Sequence, residues 1–482
     1  MRHRVTPKPT IGLHLAICHL CIRAVFVAAK LKAGGIKIFK RRDSKQQRFN
    51  VYWLDGVNNA KKPPRLNLDE PHHAHRLIRN TSDLRARSGQ DNTVVLIRGG
   101  DANMKCRAAL LRTTGAEKPY AESQPLSIEE IELDPPGPNE VLVKIAGAGL
   151  CHSDLSVING SRARPLPIVL GHEGSGEIVE VGSAITDLKE GDHTVFQFSA
   201  ACGRCVRCLE GRPQNCFTAA TQGSKGELLG GGSRIRDADG NMVGHHSGIS
   251  CMAEYAVMDR GSIIVVDKSV PLADAALFGC AVMTGAGAVI NTARVRTGDK
   301  VAVLGLGGVG LNGVMGAKLA GAGAIIAIDT DARKLELAEE LGATHVINGT
   351  DNDVVEQVKD LTGGGVDFAV ELAGTIPAIE TAYAIIARGG AVVTAGLSPV
   401  GAQFSFEHAD LVSNEKSVLG SYMGSCVPVR DIPRFIHAFQ RGDMPVDRLI
   451  DRHIGLDELN HGFDLLDRGE TVRQILTPHE FN

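Results

Sequence analysis

Between Met104 and about Asp192 apolar residues recur in short runs, CRAALL, EVLVKIAGAGL, GSGEIVEVG and GDHTVFQF, separated by PPGPNE and similar breakers. Such runs bounded by Pro, Gly and Asn predict an antiparallel β unit. At Asp299 the period changes. The segment DKVAVLGLGGVGLNGVMGAKLAGAGAIIAIDTDARKLELAEELGA predicts a strand ending at Leu304, a glycine turn, a small-residue helix to about Leu319 and a second strand ending at Asp329. VDFAVELAG and AVVTAGL continue the alternation and extend a parallel sheet to about Gly420. Ahead of Met104 the pattern is weak. Residues 11–31 are apolar but interrupted by His14, His19 and Arg23, which makes a poor membrane-spanning helix. Residues 39–102 sustain neither period and read as disorder or loose local structure.

Length and charge divide the chain in the same place. With 482 residues it is too long for one ordinary core and suggests about three domain-sized units. The net charge of −3 hides an asymmetry: residues 1–103 hold 20 Lys and Arg against 7 Asp and Glu, and the remainder holds 32 against 48. Arg2, Arg4, Lys8, Arg23, Lys30 and Lys32 flank or enter the apolar run, and no acidic residue precedes Asp43, the charge bias of a targeting peptide, though serines are few. Alternation opens at Met104 in MKCRAALLRTTG, so the upstream residues read as an extension outside the chemistry. The main body is expected in the cytoplasm, with organelle targeting by the extension as the alternative. Its acidic balance and lack of a sustained basic run argue against nucleic acid as partner.

Eleven cysteines in a chain of this length suggest metal rather than a disulfide framework. Cys202, Cys205, Cys208 and Cys216, in CGRCVRCLEGRPQNC, lie within fifteen residues. Four thiolates close a tetrahedral shell with no open position, which describes a structural zinc. An iron–sulfur cluster or a redox pair are the alternatives. Arg204, Arg207 and Arg212 can offset the charge of that shell. A second stretch, CHSDLSVINGSRARPLPIVLGHE over residues 151–173, carries Cys151 and His172, ligand types of a catalytic zinc that needs a third protein ligand and an open position. On that stretch alone, a small buried thiol and a core histidine are an equal alternative. Cys18 with Cys21, and His72, His73 and His75, have no partner pair at metal-site spacing.

The glycine turn reads GxGxxG. Gly305 permits the turn, Gly307 lets the backbone approach a pyrophosphate, and Gly310 lets helix and strand pack closely. Asp329 follows Gly310 by 19 residues at the end of the next strand. There a carboxylate can accept from a ribose diol and repels a 2′-phosphate, which predicts NAD over NADP.

With a β unit, a four-cysteine lobe and a Rossmann unit in this order, the chain resembles the zinc-dependent medium-chain alcohol dehydrogenases from Met104 to about Pro478. The resemblance implies an α/β plus β architecture: a GroES-like catalytic domain over 104–281 and 424–482, with an inserted doubly wound Rossmann coenzyme domain over 282–423. It implies Cys280 as the third catalytic ligand beside Cys151 and His172, Glu173 as the neighbouring carboxylate, Asp154 as the carboxylate that orients the histidine, and Ser153 as the hydroxyl that takes the alcohol proton. For the coenzyme it implies Thr284 and Val309 at the nicotinamide, Gly308 in the glycine turn, Lys334 at the adenosine ribose, and His152 and Arg473 at the pyrophosphate. Phe198 matches a substrate-channel aromatic.

The expected function is therefore reversible NAD-linked oxidation of a primary or secondary alcohol, with one catalytic and one structural zinc per chain. Two departures qualify the match. Many members end the proton relay in histidine where this chain has Ser156, and the glutathione-dependent formaldehyde dehydrogenase branch carries an acidic residue and an arginine where this chain has Arg162 and Ala220. That branch is the runner-up. A zinc-free quinone reductase and a non-catalytic, zinc-stabilised nucleotide-binding protein are expected to lack one of Cys151, His172 and Cys280, and a polyol dehydrogenase typically has Glu in place of Cys280. The long loop after Cys216 implies a homodimer.

Overall fold

A computed structural model of the chain describes residues 103–479 and, before them, the strands Leu13–Ala16, Ile36–Arg41, Arg48–Trp53, Leu84–Ser88 and Val94–Arg98. The chain divides into two units, Met1–Asn103 and Met104–Asn482. In the first, the five strands pair antiparallel into one sheet. This differs from the loose structure expected over 39–102. Strands such as IKIFKR and RFNVYW are six residues long and basic, so no period lasts long enough to register in a sequence window. The targeting character of the remaining early residues, the Cys18–Cys21 pair and the histidine cluster lie outside the described residues.

In the second unit the β runs build two mainly antiparallel layers, each with one parallel pair, Met242–His245 with Ile168–Val169 and Ile450–Ile454 with Arg473–Leu476. Met104–Leu111 pairs with Leu126–Leu133 over its whole length, and these two close a small barrel with Ile168–Val169, Ile235–Arg236 and Met242–His245. The longest strand, Glu140–Gly149, is buried at nine of its ten positions and is the spine of a seven-stranded sheet. Gly174–Val181 and Tyr255–Asp259 pair with it antiparallel, and so does the late strand Arg473–Leu476. The C-terminal segment thus returns to the first sheet.

The third layer is parallel. Its order is His345–Asn348, Ala324–Asp329, Lys300–Leu304, Val366–Glu371, Ile386–Thr394 and Ser417–Gly420. VAVL and IIAI are apolar at every position because helices cover both faces. The strand order reverses beside Lys300–Leu304, and in an open α/β sheet that reversal leaves a crevice at the carboxyl ends of the strands where ligands bind. One continuous core joins Val195 and Leu277 to Val282, Val303 and Val314. The helix Ala281–Gly287 is held in that core against the nucleotide-type helix Gly308–Ala320, which carries Cys280 to the join between the two kinds of sheet.

Candidate active site

Four donors converge where these layers meet. The spine strand ends at Gly149, and Cys151 takes extended backbone (φ −131°, ψ 150°) as the cap of the helix His152–Ile158. His172 and Glu173 immediately precede the strand Gly174–Val181. Cys280 sits between the short helix Asp274–Gly279 and Ala281–Gly287. One ligand atom from each of Cys151, His172, Glu173 and Cys280 lies within 4.8 Å of the others, and all four residues are buried. Cys280 Sγ is 3.6 Å from His172 Nε2. The opposite ring nitrogen, Nδ1, is 3.1 Å from Asp154 Oδ2, so the carboxylate sets which nitrogen faces the cluster.

Burying several ionisable groups without compensation costs several kcal/mol per ion. Here the charges are matched in part: Arg473 Nη1 is 3.4 Å from Glu173 Oε2, yet neither Glu173 oxygen accepts a hydrogen bond. Burial raises Glu173 to about 7, opposed by the Arg473 charge. The Cys151 thiol is held well below its ordinary value, first by a hydrogen bond from Cys280 and against burial. For His172 burial disfavours the charged ring, but Asp154 and Cys151 raise its pKa well above the ordinary value. Two thiol sulfurs, an imidazole and an unsatisfied carboxylate, all buried, are a donor set that fits zinc.

The second cluster is local. Cys205 caps the short helix Val206–Leu209, and Cys216 leads into the helix Phe217–Ser224. Cys202, Cys205, Cys208 and Cys216 bring their sulfurs together, with Cys205 Sγ 3.6 Å from Cys208 and 3.9 Å from Cys216. The N–H groups of Cys205 and Cys202 point at Cys202 Sγ (3.3 Å) and Cys216 Sγ (3.4 Å). Against burial, such backbone hydrogen bonds bring Cys202 down to about 6, while burial and Cys205 push Cys208 up to about 12. All are free thiols, and no carboxylate or imidazole joins them. The set fits a closed four-thiolate zinc.

The glycine turn has the shape that a dinucleotide needs. Gly305 has φ +87°, and a Cβ there would stand 2.6 Å from Ala373; a Cβ on Gly310 would stand 1.8 Å from the Gly305 carbonyl oxygen. A Cβ on Gly307 would meet nothing within 4 Å, which leaves the approach open. Arg473 Nε lies 2.0 Å from where a Gly308 Cβ would be, is buried, and has no hydrogen-bond partner. An unpaired guanidinium N–H beside a helix N-terminus fits a phosphate. Asp329 ends the second strand; its oxygens accept from Leu306 N at 2.6 Å and Asp331 N at 2.9 Å, which holds the carboxylate beside the turn.

The remaining expected residues are spread around these centres. Ser153 is half-buried in the first turn after Cys151, and His152 beside it is exposed. Ser156 Oγ donates to the His152 carbonyl at 2.7 Å. Thr284 and Val309 are half-buried on the facing helices, and Lys334 lies on the helix Ala332–Leu341. The Phe198 ring meets His172 edge-on, with centroids 5.5 Å apart. Three further residues reach the site without having been expected. His246 is buried, with Nδ1 2.9 Å from Asp154 Oδ1; Tyr422 stands edge-on to Phe198 at 5.8 Å; and Arg164 lines the adjoining cavity. His246 directly follows the strand Met242–His245, and nothing local marked any of the three.

Residues 137–268 match the family described as alcohol dehydrogenase GroES-like domain, and residues 308–441 the family described as zinc-binding dehydrogenase. An S-(hydroxymethyl)glutathione dehydrogenase of Synechocystis sp. is 38% identical over 378 residues, covering 77% of this chain and 100% of that protein. Among solved structures, an alcohol dehydrogenase zinc-binding domain protein from Burkholderia ambifaria superposes with a TM-score of 0.74 at 36% identity, covering 78% of this chain and 100% of that one. A benzyl alcohol dehydrogenase from Acinetobacter calcoaceticus does so with 0.71 at 34% identity, covering 78% and 99%.

Proposed function

This chain belongs to the zinc-dependent medium-chain alcohol dehydrogenase family, and on that premise we propose that it interconverts a primary or secondary alcohol with its aldehyde or ketone at the cluster of Cys151, His172 and Cys280, using NAD. The observation that carries this reading is the convergence of those donors with Glu173 in a buried pocket whose carboxylate has no hydrogen-bond partner. Zinc held there supplies Lewis acidity to an alcohol oxygen, and NAD supplies the hydride acceptor.

The chain's own residues do the rest. Asp154 turns His172 so that Nε2 faces the other donors. Ser153, two residues after Cys151, accepts the proton from the alcohol hydroxyl as it releases its own hydroxyl proton towards solvent. Ser156 Oγ donates to the His152 carbonyl, so it passes a proton on only when that hydrogen bond is exchanged for one to solvent. Gly305, Gly307, Gly308 and Gly310 admit the pyrophosphate, Arg473 and His152 face it, and Lys334 and Asp329 receive the adenosine ribose. A fixed anion at Asp329 opposes a 2′-phosphate. Thr284 and Val309 flank the nicotinamide, and Phe198 walls the substrate side and keeps water from the reacting carbons.

Cys202, Cys205, Cys208 and Cys216 hold a second, structural zinc. Residues 104–281 and 424–482 form the catalytic domain and 282–423 the coenzyme domain, in a homodimer acting in the cytoplasm. Among the described residues no helix is long and apolar enough to cross a membrane. The test is elemental analysis joined to an alcohol and aldehyde screen with NAD, with and without glutathione. About two zinc ions per chain and NAD-linked turnover are expected; a folded sample with one or none refutes the two-site assignment. Activity that requires glutathione would replace this reading with the S-(hydroxymethyl)glutathione dehydrogenase one that the Synechocystis relative suggests.

A further inference from the structure

Asp154, fully buried in the first turn of the helix His152–Ile158, has three N–H donors around its carboxylate. His172 Nδ1 reaches Oδ2 at 3.1 Å, while Gly171 N and His246 Nδ1 reach Oδ1 at 3.0 and 2.9 Å. Two of these donors, on Gly171 and His172, belong to the segment that carries the metal donor itself. The third, on His246, arrives from a separate loop, and no step of the reaction uses it.

That loop is fastened at several points. His246 N donates to Ser250 Oγ at 2.9 Å, the His246 carbonyl accepts from Ile249 N at 3.0 Å, and Ser250 Oγ donates to the Val169 carbonyl at 2.8 Å. Cys251 N and Met252 N then donate to the carbonyls of Gly171 and Leu170, at 3.2 and 3.0 Å. The turn holds Ser247 at φ +57° and Ser250 at φ +58°, in the left-handed region that non-glycine residues avoid. Strain of that kind persists only where the surrounding contacts over-determine it, and it gathers where a group must be held in place. The group presented here is the buried His246 ring, edge-on to His172 with centroids 5.3 Å apart.

A ring nitrogen 2.9 Å from a carboxylate oxygen carries the proton and donates it. With Oδ1 anchored by two N–H groups, Oδ2 is left to His172, and the carboxylate is not free to turn. Without His246, Oδ1 keeps Gly171 alone, and the group can rotate away from His172. We propose that His246 is a positioning residue for the catalytic metal: it clamps Asp154, and through Asp154 it fixes the direction in which His172 Nε2 faces Cys280. This rests on the zinc reading of that cluster.

The test measures zinc affinity at the mixed centre of the full-length protein by chelator competition, together with the visible spectrum after cobalt replaces that zinc. His246→Phe keeps a planar ring and removes the donor, whereas His246→Asn keeps a donor near the place of Nδ1. The Phe variant should bind zinc about tenfold more weakly and shift the cobalt bands; the Asn variant should restore most of both, and the four-cysteine lobe should keep its metal in each. A ring that merely fills space would not be rescued by Asn. In an Asp154→Ala background, His246→Phe should cost no more than about twofold further, because the group it acts through is gone. Unchanged affinity in His246→Phe, an Asn variant as weak as the Phe variant, or full additivity with Asp154→Ala overturns the role of His246 and leaves the zinc reading in place. Should His246→Phe not fold, His246→Leu takes its place with the same expected loss. A wild-type protein that binds no zinc at Cys151, His172 and Cys280 overturns both.

Discussion

The two cysteine-bearing centres differ in every physical respect that matters to a metal. The four-cysteine lobe draws its ligands from one fifteen-residue stretch, and three of the four are only half-buried. The mixed cluster draws on residues from Cys151 to Cys280, and all of its donors are buried. The first needs little more than two turns of backbone, so the metal itself can organise it. The second needs the spine strand, the return strand carrying Arg473 and the helix after Cys280 to be in place. Four uniform thiolates fill a tetrahedral shell and suit a structural metal. A site assembled from mixed donors at a layer junction is wholly buried, next to the aromatic ring of Phe198.

The comparison breaks first if the two centres are not independent. His172→Asn is expected to remove one zinc and abolish alcohol oxidation, while Cys208→Ser removes the other zinc and lowers thermal stability; metal analysis and calorimetry on both variants decide this, and a single variant that loses both metals refutes independence. Next in size, Ser153→Ala should leave both zinc ions bound and slow turnover by about 10²–10⁴-fold, the span of a lost proton-transfer group; an active variant removes Ser153 from the relay. Asp154→Asn should weaken only the mixed centre, by about 10–100-fold in zinc affinity, because it perturbs the orientation of His172; chelator competition measures it, and an equal loss at the four-cysteine lobe would contradict the geometry. The smallest effect sharpens the contrast from outside it. Asp329→Gly should shift the ratio of NAD to NADP efficiency by about tenfold with no change in either zinc, which steady-state kinetics and metal analysis read together.

The local motifs were legible because their chemistry lies in consecutive residues. Gly305, Gly307 and Gly310 followed by Asp329 describe a βαβ turn on spacing alone, and Cys202, Cys205 and Cys208 describe a metal knuckle. The parallel sheet was legible for the related reason that VAVL and IIAI carry no polar position. Other parts were not. His246 reaches Asp154, and Tyr422 reaches Phe198, only because distant loops fold over one another. In Met1–Asn103, strands of four to six residues are too short for a period to register.

The sequence by itself determined the alternation of strand and helix, the four-thiolate lobe and the glycine turn, since each follows from neighbouring residues, while the split catalytic domain around an inserted coenzyme domain entered by resemblance. Cys151 and His172 by themselves were half a site with an equal alternative, and Cys280 entered only by resemblance. What tertiary structure alone decided was the meeting of those residues in a buried pocket, where burial raises Glu173 and a paired carboxylate turns His172. Ligand type is a property of a residue. The burial of the four donors and the partnering of His172 by Asp154 are properties of the space that packed layers enclose.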